Sequence, residues 1–130
     1  MVGLANIQKG NIIYDLGSGD GRLLFLSLNA GAGKAIGIEI NPLLVLWSNF
    51  RALILSKKHA HTRWGNFWRA DLTDADVVFV YLLPWRMGKL ARKLKKELKP
   101  GARIVSNSFI FPDWKILRQD RVNHIYVFTA

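Results

Sequence analysis

DLGSGDGR, residues 15–22, follows the apolar run NIIY and alternates three glycines with polar residues. Gly17, Gly19 and Gly21 let the backbone turn sharply and approach a ligand closely. A turn of this kind after a buried strand lies where α/β sheets bind ligands, at the carboxyl ends of their strands. The accompanying charge is the more informative part. Asp15 and Asp20 bracket the loop, and its spacing is G-x-G-x-G, not the G-x-G-x-x-G that presents amides to a pyrophosphate. Carboxylates in that place repel phosphate. They suit a ligand with a positive charge, such as an amino group or a sulfonium.

Outward from the loop, short β-rich runs alternate with helical stretches. NIIYDL (11–16) reads as a buried strand, and GRLLFLSLNAGAG (21–33) as a helix stopped by glycine. KAIGIEI (34–40) is a second strand. Asn41 and Pro42 then supply an N-cap and a first-turn proline for a helix through residues 43–58, whose apolar INPLLVLWSNF segment has the length of a core helix. HTRWGN (61–66) is a weaker strand. ADVVFVYLL (75–83), apolar on both faces, fits the centre of a parallel sheet. Residues 86–99 predict an amphipathic helix with Met87, Leu90, Ala91, Leu94 and Leu98 inward and lysines and arginines outward. ARIVSNSF (102–109) is a fifth strand, and residues 114–129 read as two strands around a polar turn. The expected fold is α/β: a mostly parallel, Rossmann-like sheet with helices on both faces and a closing antiparallel hairpin.

The chain's 130 residues suit a single domain, here 1–130 with little or no segment ahead of the first strand to cover a site. The absence of cysteine excludes disulfides and thiolate metal sites. No uncharged apolar run approaches the ~18 residues of a membrane span, and no secretion signal is evident, so a cytoplasmic protein is expected. A net charge of +10 favours an anionic partner, nucleic acid included, or reflects nothing beyond a basic surface. The composition is also compatible with self-association.

Glu39 closes the second strand about 20 residues beyond the glycine loop, where an acid accepts both hydroxyls of a ribose. Loop amides, carboxylates for a cation and a ribose acid together describe S-adenosylmethionine. DLGSGDGR, GIEINP, GNF, VYLLP and LKPGARIVS also occur in the order and spacing of the class I, seven-stranded methyltransferases. The longer blocks GIEINPLLVLWSNFRA and FIFPDW resemble the family of the ATP synthase c-subunit lysine N-methyltransferases and their prokaryotic relatives. The resemblance implies a protein-lysine methyltransferase that uses S-adenosylmethionine and releases S-adenosylhomocysteine.

Carried across, the resemblance places Asp15, Gly17, Ser18, Gly19 and Asp20 in the first cofactor motif and Glu39 at the ribose, with Ile40 and Tyr81 also among the cofactor-binding residues. Asn66 falls where many relatives have an aspartate for the adenine amino group, and an amide oxygen can take that role. Phe67 then packs on the adenine. YLLP, residues 81–84, lacks the acid of the Asp/Asn-Pro-Pro-Tyr signature, which argues against base-amine and glutamine substrates. Tyr81 is the candidate wall or acceptor for the substrate amine, with Asp20 and Trp85 near it. The competing reading makes Tyr81 and Trp85 core packing. Asp71, Asp74 and Asp76 are read as a solvated loop ahead of a metal cluster, and His59, His61 and His124 lack ligand spacing. An RNA methyltransferase and a non-catalytic cofactor-binding module stand as alternatives.

Overall fold

The computed structural model describes residues 1–130. A short helix α1 (Val2–Ala5) leads into β1 (Ile12–Leu16), followed by α2 (Arg22–Asn29), β2 (Lys34–Glu39), α3 (Pro42–Ile54) and β3 (Ala60–Trp64). A single 3-10 turn (Phe67–Arg69) precedes β4 (Val77–Val80) and α4 (Pro84–Glu97), and β5 (Arg103–Asn107), β6 (Ile116–Asp120) and β7 (Ile125–Thr129) complete the chain. The sheet order is β3-β2-β1-β4-β5-β7-β6. Every neighbouring pair is parallel from β3 to β5, while β7 runs antiparallel to both β5 and β6.

The order reverses at β1: the chain steps outward to β2 and β3, then returns to β4 on the other side. Such a reversal opens a crevice beyond the carboxyl end of β1, where the loops diverge. Alternating residues of the central strands feed two cores. Tyr14, Ile36, Val78 and Ile104 face α4, while Ile13, Ala35, Phe79 and Val105 belong to the layer with Leu24, Phe25 and Ala52 of α2 and α3. α4 is amphipathic as its pattern predicts, with Met87, Leu90, Ala91 and Leu94 buried. At the hairpin end, Phe111, Trp114 and Phe128 pack against one another, Phe128 edge-on to the other two, so Trp114 is structural.

Two expectations need correction. The strand read through residue 83 ends at Val80, where its pairing with β5 stops at Ser106, and Tyr81 is released from the sheet. The helix read as a core helix is not one. Only Ser48 and Ala52 of α3 are fully buried, and Leu43, Leu46 and Leu53 are among its exposed residues. Because α3 is apolar nearly all round, periodicity could not choose its inward side. A polar contact does: Ser48 Oγ meets Thr62 Oγ1 at 2.8 Å, and Asn49 brackets the Thr62 backbone with two hydrogen bonds of 2.9 Å.

Candidate functional site

The glycine loop occupies the crevice beyond β1. Gly17, Gly19 and Gly21 all have positive φ, and a Cβ on Gly17 or Gly19 would meet nothing within 4 Å, so both leave open space above the loop. Gly21 is different: a Cβ there would lie 2.2 Å from Ser48 Oγ, so its bareness lets α2 begin against α3. Gly37 of β2 is a close-approach position that sequence reading passed over. Its missing side chain makes room for Ser18, whose Oγ would lie 2.3 Å from a Cβ. Ser18 Oγ is buried and has no hydrogen-bond partner.

Glu39 ties the crevice together. Its Oε1 accepts the Gly19 amide at 3.0 Å and its Oε2 accepts the Asn41 amide at 2.9 Å. One carboxylate at the end of β2 therefore fixes both the glycine loop and the start of α3. Asn41 in turn caps α3 by accepting from the Leu43 amide at 3.0 Å. Ile40, beside it, is exposed.

Asp15 is the opposite case. It is buried at 6% exposure, and its carboxyl is pushed up to about 7 by burial, then by the charges of Glu39 and Asp20, with no donor or cation offsetting them. Asp20, the other bracketing acid, is ion-paired: its Oδ2 lies 3.2 Å from Arg51 and 3.6 Å from Arg22. Asp20 thus anchors α3 to the loop through Arg51, which also donates to the Asp20 carbonyl at 3.1 Å. A role for Asp20 as a free amine acceptor loses its basis.

A cleft of about 240 Å³ opens above these residues, lined by Asp15, Gly17, Ser18, Asp20, Tyr81 and Asn107 among others. Tyr81 is 68% exposed and stacks on Phe109, with centroids 6.5 Å apart and planes 14° from parallel. Trp85 is exposed on the first turn of α4 and does not line this cleft. The core-packing reading therefore fails for both aromatics. Asn107, at the carboxyl end of β5, is a cleft residue the sequence reading missed; the strand-end rule applied to ARIVSNSF would have found it.

Asn66 and Phe67 lie beyond Glu39, past the end of β3. Asn66 Oδ1 accepts the Trp68 amide at 3.0 Å and so caps the 3-10 turn, which leaves its second lone pair for another donor. Phe67 is half-buried against Trp68. Asp15, Ser18 and Tyr81 thus share one cleft, while Glu39, Ile40, Asn66 and Phe67 form the continuation of the same sheet edge over β2 and β3. No group of three or more metal-ligating side chains occurs. Asp74 instead accepts from the Tyr14 hydroxyl at 2.9 Å, and Asp76 from the Ile12 amide at 2.7 Å.

Comparison with known proteins now gives this arrangement a family. The model of the ANTKMT methyltransferase domain matches residues 15–118, from the buried aspartate to the outer strand of the hairpin. The chain belongs to the ANTKMT methyltransferase family. It is 37% identical over 120 residues to a protein-lysine N-methyltransferase of Saccharolobus islandicus (strain REY15A), covering 88% of this chain and 72% of the relative. Over 109 residues it is 37% identical to the ATP synthase c-subunit lysine N-methyltransferase of Xenopus laevis, covering 82% of this chain and 47% of that one. The chain spans about half the length of the vertebrate relatives of that name. Among solved structures, an RNA methyltransferase from Salinibacter ruber in complex with S-adenosyl-L-homocysteine superposes with a TM-score of 0.90 at 32% identity, covering 98% of this chain and 84% of that one. The seven-stranded sheet with its antiparallel end is the class I methyltransferase fold.

Proposed function

We propose that this family member transfers the methyl group of S-adenosylmethionine to the side-chain amine of a lysine in a protein substrate. One observation carries the reading: a buried carboxylate, Asp15, lines the loop cleft with no hydrogen-bond donor or cation paired with it. Burying an unpaired carboxylate is costly, and a ligand cation recovers that cost on binding. The lysine substrate is supported by the names of the curated relatives.

The residues present fit the cofactor. Asp15 and the unpartnered Ser18 hydroxyl suit its amino-acid end, and the open space above Gly17 and Gly19 admits it. Glu39, already accepting two amides, presents its remaining lone pairs to ribose hydroxyls. Ile40 offers an apolar contact, and Asn66 and Phe67 suit the adenine edge and face. Bound there, S-adenosylmethionine supplies a methyl carbon already activated by its sulfonium. The protein's task is then to aim a neutral amine at that carbon and exclude water. The stacked rings of Tyr81 and Phe109 give the lysine stem an aromatic wall. Such a wall desolvates the ammonium and lowers its pKa from ~10.4, while the Tyr81 hydroxyl and Asn107 amide offer acceptors to orient it.

The test is transfer of labelled methyl from S-adenosylmethionine into a cell lysate, with nuclease-treated, protease-treated and Glu39→Ala arms. Label that survives nuclease, is lost to protease and is recovered as methyl-lysine supports the reading. Label lost to nuclease moves the chain to RNA, the substrate class in the name of the Salinibacter ruber structure. Cofactor binding without transfer makes it a binding module. A Glu39→Ala protein with full transfer removes the site assignment.

A further inference from the structure

The outer side of α3 is the feature that neither the cleft nor the core explains. Leu43, Leu46, Trp47, Phe50, Leu53 and Ile54 are each between 51% and 77% exposed. At about 100° per residue they fall within an arc of roughly 120°, centred opposite the buried Ser48 and Ala52. The stripe therefore points straight out from the sheet along the whole helix. Large contiguous apolar patches are rare on monomeric soluble proteins and mark contact surfaces. Beside the first turn of α3 stands Trp64, also 69% exposed, whose Nε1 donates to the Ile40 carbonyl at 2.9 Å.

The charge around the stripe has one sign. Residues 40–70, which comprise α3, β3 and their loops, contain five lysines and arginines and no aspartate or glutamate. At the C-terminal end of the stripe, Leu53 shares a shallow cleft with Lys57, Lys58 and His61. Apolar residues with tryptophans amid a cationic rim are the composition of helices that lie in a bilayer interface. No helix of the chain is long and apolar enough to cross a membrane, so the contact would be peripheral.

We propose that the outer face of α3 docks this protein on an anionic lipid surface. Its leucines and aromatics enter the acyl boundary, and Lys57 and Lys58 meet the headgroups. Charge complementarity selects this occupant over a second copy, since pairing two such faces sets cations against cations with no carboxylate to answer them. Nucleic acid would satisfy the charge but leave the leucines unexplained. A bilayer along α3 lies beside the sheet and leaves the cleft at the ends of β1, β4 and β5 open. The proposal does not rest on the methyl-transfer reading.

Flotation of the whole chain with phosphatidylcholine vesicles, with and without phosphatidylglycerol, tests it. Binding is expected to the anionic vesicles, weakened by salt, with tryptophan fluorescence quenched by brominated acyl chains. Leu46→Glu/Phe50→Glu should lower that binding at least ~30-fold, and Lys57→Glu/Lys58→Glu about tenfold. Both variants should keep wild-type cofactor affinity, which certifies their fold, and the quenching experiment needs no variant. Absence of flotation, equal binding to neutral vesicles, or full binding by the stripe variant would each overturn the proposal. A concentration-dependent dimer without vesicle binding would assign the face to self-association instead.

Discussion

Asp15 and Asp76 lie at opposite ends of β1, and the fold treats them in opposite ways. At the start of the strand, Asp76 accepts the Ile12 amide at 2.7 Å and pairs with Lys99 at 2.8 Å. Burial pushes its carboxyl up, but Lys99 and the Ile12 amide outweigh this and hold it below the usual range. At the other end, Asp15 has burial and two neighbouring carboxylates against it and nothing in its favour, and it stands at about 7. The first acid is satisfied within the chain. The second has no such partner within the chain and, on the proposed reading, finds it in a bound cation. That contrast is what supports the proposed binding role of Asp15 beside the structural role of Asp76.

The largest expected effect breaks the contrast from the binding end. In the unfolded chain the Asp15 carboxyl ionises near 3.8; in the fold it stays protonated to about 7. Folding therefore retains a proton that the unfolded state has lost, so stability falls as pH rises from about 4 to 7 and then levels. Asp15→Asn removes this loss and should stabilise the ligand-free protein at pH 8 by up to about 4 kcal/mol. The same change should weaken S-adenosylmethionine binding about 100-fold. Denaturant titration and calorimetry read the two effects separately. In the wild type, affinity for the cationic ligand should rise with pH and reach a plateau above about 7, since the carboxylate must be ionised to receive it. Affinity that falls over that range would break the assignment.

Gly37→Ala probes the same site without altering a charge. The new methyl would need the place of Ser18 Oγ, and displacing the buried Ser18 should cost about 1–3 kcal/mol and move the loop. A stability loss with a matching loss of cofactor affinity shows that loop geometry, beyond the Asp15 charge, is required. Asp76→Asn is the control at the other end. It keeps an acceptor for the Ile12 amide but loses the ion pair, and should cost about 1 kcal/mol at neutral pH. The lowered Asp76 carboxyl contributes stability above about 3.8, its unfolded value, and loses it as pH falls through the folded value. The variant should lack that acid dependence and bind cofactor like the wild type.

The sequence made the strand–helix alternation, the glycine loop and the acids at 15 and 39 legible, because each is a local signal: period, spacing or residue type. The methyltransferase expectation agrees with the family the chain belongs to. What could not be read was pairing across distance. Asp20 looks as available as Asp15 until Arg51, 31 residues on, is folded against it. Gly37 looks like any strand glycine until Ser18 is packed over it. Which face of α3 turns outward could not be read, because a helix apolar nearly all round gives no phase, and its direction is set by hydrogen bonds to Thr62 on β3.

Two tyrosines repeat the contrast on a smaller scale. Tyr14 is buried, its hydroxyl donates to Asp74, and burial, with Asp74 adding to it, pushes its pKa up to about 12. Tyr81 is exposed at the cleft rim with only Phe109 stacked on it. Tyr14→Phe should therefore cost about 1 kcal/mol of stability and leave transfer unchanged. Tyr81→Phe should leave stability unchanged and keep the aromatic wall, so any effect reports the hydroxyl alone. A fall in kcat of roughly threefold to tenfold at unchanged cofactor affinity would make that hydroxyl an acceptor for the incoming amine. If Tyr81→Phe is silent while Tyr81→Ala raises KM for the protein substrate, the ring serves as a wall, and orientation of the amine falls to Asn107, a strand-end amide that shares the cleft.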